Sequence, residues 1–319
     1  MTESVGAFAP GSIGNVGPGF DTLGLALAGR GDTVLVARSA TLGVTIKDPG
    51  HPSLPTDPDR HTAAIAASEV LKRAAMADEV GVELSVRKGL PLTAGQGGSA
   101  ASAVAAAVAT NALLHNPLWP TGLVGACLVA ESRVSGKCID NIAASLLGGL
   151  ILIRSHSPLE LVKLPVPPNL RMVLALPDYQ LETAVGRACL PDSIPLEIAM
   201  HQAAQVGALV AACFQRDLGL LGRAIDDRVV EPSRAHLLPG FPEAKAAATE
   251  AGALGVSISG SGPTAFALAH SETSGQQVAE AMAKAYQKAG FACVTRVADV
   301  DHLGARLIPR ETAVPQGTQ

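Results

Sequence analysis

The sequence is poor in charge: Asp, Glu, Lys and Arg together make up 16% of its 319 residues. It has no run of Lys or Arg, and its formal net charge is −4. These absences exclude a nucleic-acid surface, which needs clustered cations to neutralise phosphates. An anionic ligand therefore has to be held by local groups rather than by the field of the whole chain. The five cysteines, Cys127, Cys138, Cys189, Cys213 and Cys293, never form a Cys-x-x-Cys pair. That pattern fits reduced, buried thiols in a cytoplasmic protein. The eight histidines show no metal-binding spacing such as His-Glu-x-x-His. Residues 1–10 lack a basic region and an apolar run, so they do not read as a secretory signal. No membrane contact is expected either, because the most apolar long segment is rich in alanine, poor in Leu and Ile, and interrupted by Thr110 and Asn111. The nucleotide signatures GxxxxGK[ST] and GxGxxG and the esterase elbow GxSxG are all missing.

Hydrophobic residues are 48% of the chain, ample for one large core or two ordinary ones. Alternation predicts strands at 5–10, 23–27, 32–37, 41–47, 82–87 and 150–153. Helical spacing predicts helices at 62–77, 99–114 and 122–132, with a polar, proline-rich loop at 48–60 and a short apolar helix beside Asp140 and Asn141. The second half reads as strands at 171–176, 255–259, 264–269 and 291–297. Its helices fall at 198–214, 218–227, 242–251 and 276–288, and the first of these is expected to be well buried. Residues 231–234 read as a polar turn, and the tail from 311 as frayed. Elements alternate without a strict βαβ rhythm, which predicts two α+β domains, 1–158 and 159–319.

The informative feature is a set of three glycine clusters. One lies at 14–19. The second, Gly95, Gly97 and Gly98, opens the alanine-rich helix. The third is Gly260 and Gly262. Glycines let backbone N–H groups approach a ligand, and the unpaired N–H groups of a first helical turn favour an anion. The stretch 88–114 thus fits a phosphate cradle, and equally a tight turn feeding a core helix.

Residues 8–27, 88–108 and 255–268 resemble, in order and spacing, the three motifs of the GHMP small-molecule kinases. Within that superfamily, residues 135–150, the T-x-x-x-R-x-x-L-P stretch at 183–191 and residues 231–234 resemble the homoserine kinases. The resemblance implies an N-terminal domain like domain 2 of ribosomal protein S5 and a ferredoxin-like C-terminal domain. It also implies ATP and Mg²⁺ bound between them, phosphorylation of the side-chain hydroxyl of L-homoserine, and a possible homodimer. A kinase for another small carboxylated alcohol and a catalytically silent nucleotide- or amino-acid-binding relative are the alternatives.

By the same resemblance, ATP is held by the approach Pro91, Leu92, Thr93 and Ala94, the loop Gly95, Gln96, Gly97, Gly98 and Ser99, and the first turn Ala100, Ala101 and Ser102. Gly260 and Gly262 support that loop, and His61 lies near the base. Ser99 and Glu131 match the metal ligands. Mg²⁺ suits one or two such oxygens plus phosphates and waters, although a Glu near a helix end is by itself usually a solvated charge. Arg187 and Arg234 match the arginines that grip the substrate carboxylate, a two-pronged task that Lys cannot copy. Asn15 and Asp21 match the residues around the ammonium group, although Asp21 alone also fits a turn cap. Asn141 lies beside the reacting hydroxyl, which Asp21 and Asn141 orient as the catalytic pair, and Asp140 shapes that loop. Four positions depart from the family pattern. Gln96 replaces Leu, Gly98 replaces the first of two serines, Cys138 replaces a substrate-side His, and His61 replaces an Asn.

Overall fold

A computed structural model describes residues 3–134, 136 and 139–313. The first half runs β1 (Ser4–Gly14), β2 (Leu23–Ser39), β3 (Gly43–Asp48), α1 (Thr62–Arg73), β4 (Gly81–Arg87), α2 (Gly98–Leu113), α3 (Pro120–Val134), α4 (Ile139–Leu147), β5 (Leu150–His156) and β6 (Leu159–Leu164). The second half runs β7 (Arg171–Pro177), α5 (Thr183–Ala188), α6 (Leu196–Gln215), α7 (Leu218–Arg223), α8 (Val230–Arg234), α9 (Phe241–Glu250), β8 (Gly255–Ile258), β9 (Ala265–Ala269), α10 (Glu272–Lys288), β10 (Cys293–Ala298), β11 (Arg306–Ile308) and α11 (Arg310–Ala313). The class is α+β, as the missing βαβ rhythm predicts. Among the described residues only β3 and β4, joined through α1, pair in parallel.

The first sheet has the order β11-β1-β2-β4-β3, with β5 on the other half of β2 and β6 on β5. β2 is one strand of 17 residues where sequence alternation predicts two. The alternation lapses at Ala28–Gly31, yet β1 pairs along both halves and shifts register between Pro10 and Gly11. That bulge turns the strand over. Before it, Ala7 and Ala9 pack under the helices with Val34 and Val36. After it, Ile13 joins Leu23, Leu25 and Leu27 on the opposite side.

The second sheet, β10-β7-β9-β8, is antiparallel and alternates with period two. Met172, Leu174, Phe266 and Leu268 face the first sheet and share a core with Ile13 and Leu23. Val173, Ala175, Ala265 and Ala267 face α9 and α10, where Met282 and Tyr286 are fully buried. The two halves are therefore joined by a common apolar layer, and the cleft opens along the edge of that layer.

Several expectations are corrected. Residues 231–234 lie in a helix, α8, because the Asp227 carboxylate accepts from the N–H groups of Val229, Val230 and Glu231 and so caps the turn. Residues 311–313 belong to α11 rather than a frayed tail, with Ala313 packed over Gly6. α6 is not well buried. Only Leu209, Ala212 and Cys213 are enclosed, and Leu196, Met200 and Phe214 stand exposed, because α6 packs along one side only. By length and composition α6, not the alanine-rich α2, is the one helix among the described residues able to cross a bilayer. Cys127 and Cys213 are buried free thiols, whereas Cys189 and Cys293 are half-exposed. Strands β6 and β11, which follow residue 158 in sequence, lie in the first sheet.

Candidate active site

A cleft of about 860 Å³ runs between the two halves, and α2 points its N-terminus into it. α2 forms because alanine dominates it and because the sheet covers it, leaving Ala101, Ala103, Val104, Ala105 and Ala106 without exposure. Gly97, the residue before α2, has φ 66°, and Gly95 has φ 71°. A Cβ on Gly97 would lie 2.1 Å from Ser12 Oγ, and one on Gly95 would lie 2.6 Å from the carbonyl oxygens of Ser259 and Gly262. Both positions therefore need glycine for backbone angle and for space.

The three glycine clusters are stitched together by main-chain groups and by two side-chain hydroxyls. Ser12 N–H donates to Gln96 O (3.0 Å) and Gly260 N–H donates to Gly14 O (3.0 Å). Ser259 Oγ donates to Gly95 O (2.6 Å), and Thr264 Oγ1 to Ala94 O (2.6 Å). Gln96 turns its side chain beneath the loop, where Nε2 donates to Thr264 Oγ1 (3.2 Å). An amide at this position makes a polar tie to the second half that an aliphatic side chain could not make.

Glu131 on α3 is 3% exposed and lines the cleft beside Ser99. The Ser99 hydroxyl favours the charged form of Glu131, and Oε1 has no partner. Burial raises the Glu131 pKa to about 7, and the charge of Asp140 pushes the same way against Ser99 and Lys88. A buried carboxylate oxygen without a partner, next to a hydroxyl, is a donor set that fits a hard divalent cation. Among the described residues no group of three or more His, Cys, Asp or Glu forms a self-sufficient metal site. A cation here would need ligand oxygens as well.

Beneath the cradle lies a polar network that sequence reasoning missed. Lys88 pairs with Asp32, which is fully buried, and donates to Gly98 O and Ser102 Oγ, each at 2.9 Å. Ser102 Oγ donates to Asp32 Oδ2 (2.6 Å), and the N–H groups of Gly89 and Leu90 donate to Oδ1. Nothing in the local sequence marks Asp32, which sits in the middle of a strand.

The other end of the cleft carries Asp21, Arg187 and Arg234. Asp21 and Arg187 form a two-pronged pair at 2.6 and 3.0 Å. Arg234 is fully buried, donating through Nε to Gly186 O and through Nη1 to Gly260 O, both at 2.8 Å. Burial holds its pKa down, and Arg187 adds to the effect. Asn15 is spent on the loop itself. Its Oδ1 accepts from Asp21 N–H, its Nδ2 donates to Gly260 O, and its own N–H donates to Asp140 Oδ2 (2.8 Å). Asp140, pushed to about 6 by burial and by Asp21, is thus the buried brace of that turn. Asn141 Oδ1 accepts from Ser12 Oγ (2.9 Å), which fixes the amide.

The structure brings Asn15, Asp21, His61, Ser99, Glu131, Asn141, Arg187, Arg234 and most of the stretch 91–102 to one cleft. Gln96, Ala101 and Gly262 stand behind its wall. Cys138 lies outside the described residues. His61 is occupied on both ring nitrogens: Nδ1 accepts from Ala63 N–H to cap α1, and Nε2 meets Pro49 O at 3.2 Å. Burial lowers its pKa, which suits this neutral role.

Comparison with known proteins settles the family. The GHMP kinases N terminal domain matches residues 62–149, and the GHMP kinases C terminal model matches residues 209–288. A homoserine kinase from Arabidopsis thaliana is 43% identical over 320 residues, covering 96% of this chain and 85% of that protein. The chain belongs to the homoserine kinase family of GHMP kinases. A second member, from Chlorobaculum tepidum, is 39% identical over 96% of this chain and 98% of its own length. The crystal structure of a homoserine kinase from Cytophaga hutchinsonii matches with a TM-score of 0.91 and 39% identity, over 97% of this chain and 98% of that one. Like its family, the chain is an enzyme, a kinase, with the two-domain GHMP fold.

Proposed function

We infer that this kinase transfers the γ-phosphoryl group of ATP to the side-chain hydroxyl of L-homoserine, giving O-phospho-L-homoserine for threonine biosynthesis. One observation carries the reading beyond family likeness. A glycine cradle for phosphate and a pair of arginines for carboxylate open into the same cleft.

The geometry supports the following residue roles. The N–H groups of residues 95–99 and the start of α2 cradle the triphosphate, and Lys88, paired with Asp32, braces the loop from beneath by donating to Gly98 O. Mg²⁺, which Glu131 and Ser99 would hold together with phosphate oxygens, supplies charge neutralisation at the transferring group. Arg187 and Arg234 take the α-carboxylate and Asp21 the α-ammonium group. Asn141, held by Ser12, orients the hydroxyl with Asp21. Phosphoryl transfer asks the protein mainly for positioning and charge stabilisation, so no strong general base is assigned. Asp140 lines the cleft, but its carboxylate is engaged with Asn15 N–H.

A coupled assay of ADP release across homoserine, threonine, mevalonate, shikimate and galactose tests the reading. Homoserine is expected to give the highest kcat/KM. Preference for another alcohol redirects the substrate, and ATP binding without turnover of any alcohol identifies a silent relative.

A further inference from the structure

Phe20 carries no polar chemistry and is half-buried, yet both arginines assigned to the carboxylate rest on it. The Arg187 guanidinium carbon lies 5.3 Å from the Phe20 ring centroid, and that of Arg234 lies 5.6 Å away. Both distances fall inside the range, about 6 Å, in which a cation is attracted by a ring face. Two guanidinium groups on one ring repel each other, and the repulsion is sharpest for Arg234, which is fully buried. The bonds of Arg234 go to the carbonyls of Gly186 and Gly260, which are neutral acceptors. Burial and Arg187 hold its pKa down, while the charges of Asp21 and Asp227 pull the other way without bonding to it.

A site that keeps two like charges ready for a carboxylate needs a counter-group. A second acid in contact with both guanidinium groups would compete with the ligand. Asp21 already pairs with Arg187, and in the homoserine reading it turns to the ammonium group. An aromatic face attracts both cations without forming a two-pronged bond to either, so it does not compete with a carboxylate for their N–H groups.

We propose that Phe20 is a positioning residue of the amino-acid site, its ring holding the Arg187 and Arg234 guanidinium groups together against their repulsion so that both converge on the substrate α-carboxylate. The assignment rests on the homoserine reading above.

Phe20→Leu removes the ring face and keeps an apolar side chain, whereas Phe20→Tyr keeps the face. In the full-length chain, Phe20→Leu is expected to raise the homoserine KM about tenfold, the scale of a lost desolvated cation–π contact. The ATP KM, kcat and Tm should stay near those of the parent, and Phe20→Tyr should restore the homoserine KM. In an Arg187→Ala background, Phe20→Leu should add much less than it does alone. Where Leu lowers Tm, Phe20→Met carries the same comparison. An unchanged homoserine KM in Phe20→Leu overturns the proposal, as does an ATP KM that rises in step or a Phe20→Tyr variant no better than Leu. Arginine Nε–Hε NMR shifts provide an arm without turnover. Two ring-shifted signals should be lost in Phe20→Leu and kept in Phe20→Tyr, and their absence from the parent also overturns it. A parent chain that does not turn over homoserine counts instead against the substrate reading, while the NMR arm still decides the role of the ring.

Discussion

Asp21 and Arg187 hold each other through both carboxylate oxygens and both terminal guanidinium nitrogens, joining the first glycine motif to α5. Each is the charge that the other's half of a zwitterion would bring. An amino acid entering the site can exchange this pair for two new ones, with ammonium on Asp21 and carboxylate on Arg187. A ligand carrying only one of those charges leaves the other partner unmatched, at a cost. Arg187→Ala is therefore expected to raise the homoserine KM by about 30-fold or more, the lower end of losing a desolvated charge partner. Arg187→Lys should recover little, because an ammonium group cannot reproduce the fork. The ATP KM should hardly move in either variant, and a homoserine KM equal to that of the parent would falsify the role.

The cradle predicts opposite outcomes at neighbouring positions. A Cβ on Gly98 would come no closer than 3.5 Å to anything around it, Lys88 Nζ being nearest. Gly98→Ser should fold normally and keep the ATP KM within about threefold, since only a surface-like change is involved. Gly95→Ala should raise the ATP KM steeply, because its methyl group would collide with two carbonyl oxygens of the second half. Ser99→Ala should cut kcat by about 100-fold or more and weaken Mg²⁺ dependence, the usual scale for losing an electrostatic catalytic contact. Near-normal Mg²⁺-dependent turnover in that variant would show that the hydroxyl is not a ligand.

Glu131 couples catalysis to stability through pH. Its carboxyl is pushed from an ordinary 4.5 to about 7 by burial, so the folded state binds the proton that the unfolded chain has already released. Stability of the metal-free protein therefore falls as pH rises from about 4.5 through 7. Glu131→Gln, which cannot ionise, should remove that slope and raise stability at pH 8 by an amount on the order of 1–3 kcal/mol. The same variant should lose most Mg²⁺-dependent turnover. Urea melts at pH 5, 6, 7 and 8 decide it, and parallel stability curves for parent and variant would count against the assignment.

Much of the site was readable in advance, and the reason lies in the kind of signal. Gly95, Gly97 and the alanine run that follows advertise a backbone shape, and Arg187 and Glu131 stand in stretches whose likeness to a family is local. Phe20, Asp32 and Lys88 gain meaning only from what the fold sets against them, which no spacing rule reports. The same holds for elements. β7 and β9 are short, nearly uninterrupted apolar runs of strand length and were legible. β6 carries Glu160 and Lys163 in a short stretch, and β11 has only three residues, so tertiary pairing rather than pattern makes them strands.

Lys88 and Asp32 form the buried foundation of the cradle, and a foundation of this type is costly to break from one side. Asp32→Asn or Lys88→Met should lower stability by about 3–5 kcal/mol, because the surviving charge is left enclosed. Replacing both at once should cost less than the two single losses together. The measurement is a double-mutant cycle in denaturant, with the ATP KM as a second readout. Additive losses would mean that the two side chains do not act as a pair.

The pairing of β1 with β11 has a consequence in time. On the ribosome, Ser4–Gly14 emerges early, but the strand that covers its outer edge comes from Arg306–Ile308. Until that strand arrives, Gly6, Ala7 and Phe8 present an open edge of unpaired backbone, the kind of surface to which another nascent chain can add. Chaperone demand should therefore last until Arg306–Ile308 has been made, and a ribosome stalled shortly before Arg306 would hold a chain whose cleft is largely present while its first sheet is still unsealed.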